Sequence, residues 1–297
     1  MADYILSVRD RGLSLSTIKV HKSAICMTVK CGGGPDHAID TTIQALLQSL
    51  SSRAPPKRPS MPKWNLNIVL RALCNPPFEP LAETDALHRS YKTAFLVAWG
   101  TASRVSELHA LCMDGDHLKW GKDGAWVDLT AGMEFMAKNQ RAQHPPRRFR
   151  LQALEQRNPE GGAELLCPVR ALRTYLDLTK ATRGEQTRLF LRLKGSNQAG
   201  ASLQTLARWL RETVRICYEV EAPQLMADVD GCHAHELRAV AASLAVAHHK
   251  PVKDVMKAAF WRNESCFSTF YLKDMAKFQS GSPTGLSTFA AGYSLDI

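Results

Sequence analysis

The stretch His235-Glu236-Leu237-Arg238-Ala239-Val240-Ala241-Ala242-Ser243-Leu244-Ala245-Val246 makes two opposed demands on one helix. From Ala239 onward the side chains are small and mostly apolar, as in a helix buried on all sides. Its first turn carries an imidazole and a guanidinium, His235 and Arg238, three apart and so on one face. Charge taken out of water is costly unless something pairs with it. Two kinds of partner satisfy that demand: carboxylates of the core, or an anion such as a phosphate, which a helix N-terminus favours. The residues alone leave both open.

Outward from this stretch, apolar spacing predicts further helices over 168–179, 203–219 and 252–260, with the central one spanning 235–248. Upstream it predicts Trp64–Leu73, Asp85–Trp99 ending at Gly100, and a short helix from Ser103, as N-cap, to Leu111. The period then changes to alternation in Gly124–Leu129 and Arg147–Leu151, two antiparallel strands around a polar segment that holds Lys138. The expected class is mainly α with a small antiparallel β-sheet (α+β).

Toward the N-terminus, helical signals cover 4–30 and 40–50, broken at Cys31-Gly32-Gly33-Gly34-Pro35. The run Ser51-Ser52-Arg53-Ala54-Pro55-Pro56-Lys57-Arg58-Pro59 resists helix and reads as a linker over 51–62. The expected organisation is a helical unit at 1–50, that linker, a larger unit at 63–280 and a Gly- and Ser-containing tail at 281–297.

The net charge of the 297 residues is +10, with 45% hydrophobic and 22% charged residues. The basic balance leaves two readings open: a polyanionic partner, chiefly nucleic acid or an anionic membrane surface, or a solvated, mildly basic exterior of a globular protein. Basic residues recur along the chain, including Arg208, Arg211 and Arg215 on one predicted helix, in place of a single tail. No apolar run approaches the ~18–20 residues of a membrane-spanning helix, and residues 1–4 do not begin a secretory signal. Eight cysteines lack any CxxC pair and read as buried free thiols of a reducing compartment. Cys232, His233 and His235 lie close together, but no second ligand pair has zinc-site spacing, so no metal is expected.

Three other segments carry groups suited to phosphate chemistry. In Ser103-Arg104-Val105-Ser106-Glu107, Arg104 and Glu107 share a helical face, so the carboxylate can orient the guanidinium; a surface ion pair is the plainer reading. Lys138 on a hairpin can reach a leaving oxygen. Trp261-Arg262-Asn263-Glu264-Ser265-Cys266-Phe267-Ser268-Thr269-Phe270-Tyr271-Leu272 is aromatic-rich, which most often means packing, and it contains Tyr271.

In this order the segments resemble the tyrosine recombinase (phage integrase) superfamily: Arg104, Lys138, His235, Arg238, Trp261 and Tyr271 match its Arg, hairpin Lys, His-x-x-Arg, His or Trp, and Tyr. Cys167-Pro168-Val169-Arg170-Ala171-Leu172, Ala258-Ala259-Phe260-Trp261 and Phe270-Tyr271-Leu272-Lys273-Asp274 are similar to recombinases of the eukaryotic DIRS, Ngaro and Crypton transposons. The similarity runs from about Trp64 to Lys277. Two departures stand out. Trp261 and Tyr271 are ten apart, one more than is commonest in bacterial members, and the usual Gly before the first Arg is missing from Thr101-Ala102-Ser103-Arg104.

The resemblance implies the family's catalytic fold preceded by a helical core-binding domain, here short, that clamps DNA. It implies site-specific breakage and rejoining of DNA strands through a 3′-phosphotyrosine intermediate, without metal or other cofactor, in the integration or excision of a mobile element. Tyr271 would be the nucleophile, Arg104 and Arg238 the phosphate-binding pair, His235 the base, Lys138 the acid and Trp261 a phosphate-site neighbour, with Glu107 in support by orienting Arg104. Arg208, Arg211 and Arg215 would hold the DNA backbone. Double-stranded DNA is the implied partner, with a homo-tetramer on two sites, no membrane, and an intracellular location that is nuclear in a eukaryote. The alternative is a transposon-derived DNA-binding protein without activity.

Overall fold

A computed structural model of the chain describes residues 1–53, 62–137, 146–154, 163–193, 199–247 and 249–261, with 264 and 267. The chain divides into two compact units, Met1–Arg58 and Pro59–Ile297.

The first unit is three helices, α1 (Ala2–Asp10), α2 (Leu15–Cys31) and α3 (Thr41–Arg53). The predicted helix over 4–30 is in fact two. Gly12 takes a φ of +81°, a left-handed conformation that glycine adopts without penalty. The Ser14 hydroxyl then accepts from the Thr17 N–H to restart the chain. The core of this unit is small: Ile5, Val8, Ile18, Ile43 and Leu50.

The second unit is built on α4 (Leu66–Leu73), α5 (Ala86–Thr101), α6 (Val105–His109), α7 (Pro168–Arg183), α8 (Leu203–Glu221), α9 (Glu236–Ala247) and α10 (Val252–Ala258). Helix α5 is its axis, since all twelve residues from Ser90 to Thr101 are buried. It packs against α7, α8 and α9, and α8 also packs against α4. Three strands, β1 (Leu118–Trp120), β2 (Trp126–Thr130) and β3 (Arg148–Gln152), form an antiparallel sheet in that order. Val127 pairs with Leu151 and Leu129 with Phe149. The inward residues of both strands therefore fall on the face covered by α5 and α7. Strand β1 is an addition to the two expected.

Two helix boundaries near the motifs differ from expectation. Helix α5 runs past Gly100 to Thr101 and stops at Ala102, whose φ of +45° is left-handed although the residue is not glycine. Helix α6 starts at Val105 with Arg104 as N-cap, because the Arg104 N–H donates to Glu107 Oε2 at 2.7 Å. Ser103 is buried instead. The thiols differ as well: Cys26, Cys112, Cys167 and Cys217 are buried, Cys31 is exposed, and Cys74 and Cys232 lie between. Among the described residues no helix is long and apolar enough to cross a membrane, and no group of three or more His, Cys, Asp or Glu is placed to hold a metal.

Candidate active site

The sharp left-handed turn at Ala102 sets the Arg104 backbone at the mouth of α6 and turns the Ala102 carbonyl toward α9. One turn further on, Glu107 is completely buried, with 0% of its side chain exposed. The plainer reading of Arg104 and Glu107 as a surface ion pair therefore fails.

Three guanidinium groups converge on this carboxylate. Arg104 Nη1 donates to Oε1 at 2.8 Å, and Arg147 Nη1 donates to the same oxygen. Arg238 Nη1 reaches Oε2 at 3.3 Å and the Ala102 carbonyl at 2.5 Å, while its Nη2 donates to the Ala259 carbonyl at 2.6 Å. Arg238 thus meets the first of the two partners open to it, a core carboxylate, and lies 2% exposed. Arg104 is 24% exposed. Among the described residues its side chain makes a hydrogen bond only through Nη1.

Two consecutive aromatic rings back the cluster. After α10, Phe260 takes a φ of +57°. That conformation costs a bulky side chain on the order of 1–3 kcal/mol. The turn lets Phe260 lie under Arg147, 4.7 Å from guanidinium carbon to ring centre, and Trp261 under Arg238, at 4.2 Å. Trp261 also packs on Phe267, with ring centres 4.8 Å apart.

His235 lies immediately before α9, exposed to solvent, its ring stacked on His233 at 5.4 Å between centres. The segment is fixed from beneath by Glu236, whose Oε2 accepts from the His233 N–H at 3.2 Å and from Trp64 Nε1 at 2.9 Å. Burial, and after it the Glu236 carboxylate, pushes the Cys232 thiol up to about 12. It is an inert neighbour at neutral pH.

Arg104, Glu107, Arg238 and Trp261 are therefore gathered at one place, with His235 at the start of the helix that carries Arg238. Lys138 and Tyr271 lie outside the described residues. Arg147 is the member that sequence reading misses. The alternation there gives it only as the first residue of a strand, and its distance along the chain from Glu107 hides the contact. Arg208, Arg211 and Arg215 are exposed on α8, but Arg215 is already held by Glu212 at 2.9 Å and by Glu219.

No family model and no curated protein matches the chain. Among solved structures it is similar to a XerA recombinase, at 16% identity over 93% of each chain with a TM-score of 0.46. It is also similar to the XerH site-specific recombinase bound to a palindromic difH substrate in a post-cleavage complex. There the identity is 14%, the coverage 88% of this chain and 65% of that one, and the TM-score 0.55. The chain thus spans about two thirds of the XerH chain. The fold, mostly helical with a small three-stranded antiparallel sheet, is similar to that of the XerH site-specific recombinase.

Proposed function

We propose that the chain is a tyrosine-type DNA recombinase that breaks and rejoins DNA strands through a 3′-phosphotyrosine link. One observation carries the reading: three guanidinium groups converge on a single buried carboxylate, Glu107, beside a partly exposed Arg104 fork. An oxyanion is the ligand such a cluster suits, because a bidentate guanidinium and fixed positive charge match both a phosphodiester and the extra charge of its transition state. The fold shared with site-specific recombinases agrees with this.

In the proposed reaction Tyr271 Oη attacks the scissile phosphorus while His235 takes its proton. The bond to the 5′ oxygen breaks, and Lys138 protonates that oxygen. Arg104 binds a non-bridging oxygen, and Arg238 supplies positive field beside it. Reversal by a 5′ hydroxyl from another strand completes exchange with no outside energy source. Double-stranded DNA is the proposed partner, a tetramer the working assembly, and mobile-element integration or excision the setting.

One feature favours the inactive DNA-binding alternative: Arg238 is buried and already spends donors on Ala102, Ala259 and Glu107. A nicked suicide duplex separates the two. A covalent adduct on a denaturing gel that disappears in Tyr271→Phe supports the recombinase. Shifted DNA that is never covalently captured supports the silent binder.

A further inference from the structure

We propose that Arg147, which belongs to none of the motifs, is a positioning residue of the phosphate site: it holds Glu107 so that Arg104 keeps its outer donors for an oxyanion. The proposal rests on reading the cluster as a phosphate site.

Arg147 and Arg104 donate to the same oxygen, Glu107 Oε1. A fully buried carboxylate demands several donors, and each one it finds elsewhere is one fewer taken from Arg104. With Arg147 in place, Arg104 spends only Nη1 and its backbone N–H on Glu107. Without it, Glu107 would draw the rest of the Arg104 fork inward, and the cluster would lose one positive charge. The geometry of Arg147 is itself fixed twice over: the side chain is 9% exposed, and the guanidinium lies on the Phe260 ring.

Arg147 has a second tie. Its carbonyl accepts from the Ala131 N–H at 3.1 Å, which joins the two ends of the segment that includes Lys138. A single residue therefore connects that segment's base to the arginine pair. Lysine cannot reproduce the contact, since one ammonium does not lie flat on Phe260 while directing a planar donor at Oε1.

The test uses the full chain as Arg147→Met, Arg147→Lys and Arg104→Gln. Arg150→Met serves as control, because Arg150 sits on β3, which begins next to Arg147, and makes a comparable pairing, with Asp128 at 2.8 Å and the Trp126 ring at 4.1 Å. Calorimetric titration with inorganic phosphate and single-turnover cleavage of the nicked duplex are measured alongside thermal melting. Arg147→Met is expected to weaken phosphate binding and slow cleavage by about 10–100-fold, with duplex affinity by gel shift within about threefold of wild type. Arg147→Lys recovers part of both, and Arg150→Met changes neither. The proposal is overturned if Arg147→Met melts lower yet binds phosphate and cleaves as the wild type does, or if the wild type shows no Arg104-dependent phosphate binding. Should Arg147→Met not fold, the folded Arg147→Lys decides: reduced phosphate affinity supports the proposal, and wild-type affinity overturns it. If phosphate binding depends on Arg147 but no adduct ever forms, the recombinase reading fails while the positioning role stands.

Discussion

At the residue scale, Glu107 is the group on which the others depend. Replacing it by Gln removes the negative charge that three guanidiniums share, two of them buried. Breaking such a buried ionic set from one side costs about 3–5 kcal/mol, so Glu107→Gln is expected to lower the melting midpoint on the order of 10 °C. An unchanged midpoint would show that the arginines do not need the carboxylate. Ala102 makes a different demand. Its φ of +45° strongly disfavours a β-branched side chain. Ala102→Val is therefore expected to cost more than about 2 kcal/mol by urea unfolding, whereas Ala102→Gly stays near neutral because relief of the turn offsets the lost methyl burial of about 0.8 kcal/mol. The motif residues Arg104, Arg238 and Trp261 are legible in the sequence because they lie in short segments with a recognisable order. The shared carboxylate is legible only in part. The i,i+3 spacing gives Arg104 with Glu107, but nothing local announces that Arg238 and Arg147 arrive at the same atoms.

At the scale of elements, the longer helices are readable because each presents an apolar stripe of several turns; α8 buries Leu206, Trp209, Leu210, Thr213, Val214, Cys217 and Tyr218 along one side. Strand β1 is not readable. Three residues are too few for a period, and Lys119 and Trp120 are exposed. The outer face of α8 is less uniformly basic than its arginines suggest, since Glu212 and Glu219 hold Arg215. If this face binds duplex backbone, Arg208→Gln and Arg211→Gln should each lower the salt-dependence slope of binding by about one. Arg215→Gln should do less, because its ion pairs must first be broken. Equal slopes for all three variants would remove α8 from the interface.

At the scale of the whole molecule, the two units differ in how much they bury. Among the described residues a cluster of five buried hydrophobic side chains holds the first unit, against the continuous core around α5 in the second. Hydrogen exchange should therefore be faster in α1–α3 than in α5 and α8. The second unit also contains a buried ionic group away from the site. Glu79 accepts from Lys92 at 2.5 Å and from Arg170, with Lys92 0% exposed. Burial pushes the Glu79 carboxyl up, but Lys92 and Arg170 together outweigh it and hold it below its ordinary value of 4.5. A carboxyl lowered in the folded state stabilises it fully above the ordinary value, and that contribution is lost as pH falls through the lower one. Unfolding in urea should accordingly show stability falling from about pH 5 downward, and Glu79→Gln should be weaker at pH 7 with a shallower fall in acid.

The bond from Trp64 Nε1 to Glu236 spans 172 positions and joins the opening of the second unit to the turn that carries His235. It sets where this unit can be shortened. A chain cut just ahead of Trp64 keeps the indole that holds Glu236 in place, while one begun at Leu66 leaves that carboxylate seeking another donor and loosens the His233–His235 turn. Limited proteolysis at residues 230–236, slow in the first shortened chain and fast in the second, would show that the first residues after the linker hold this turn in place from a distance.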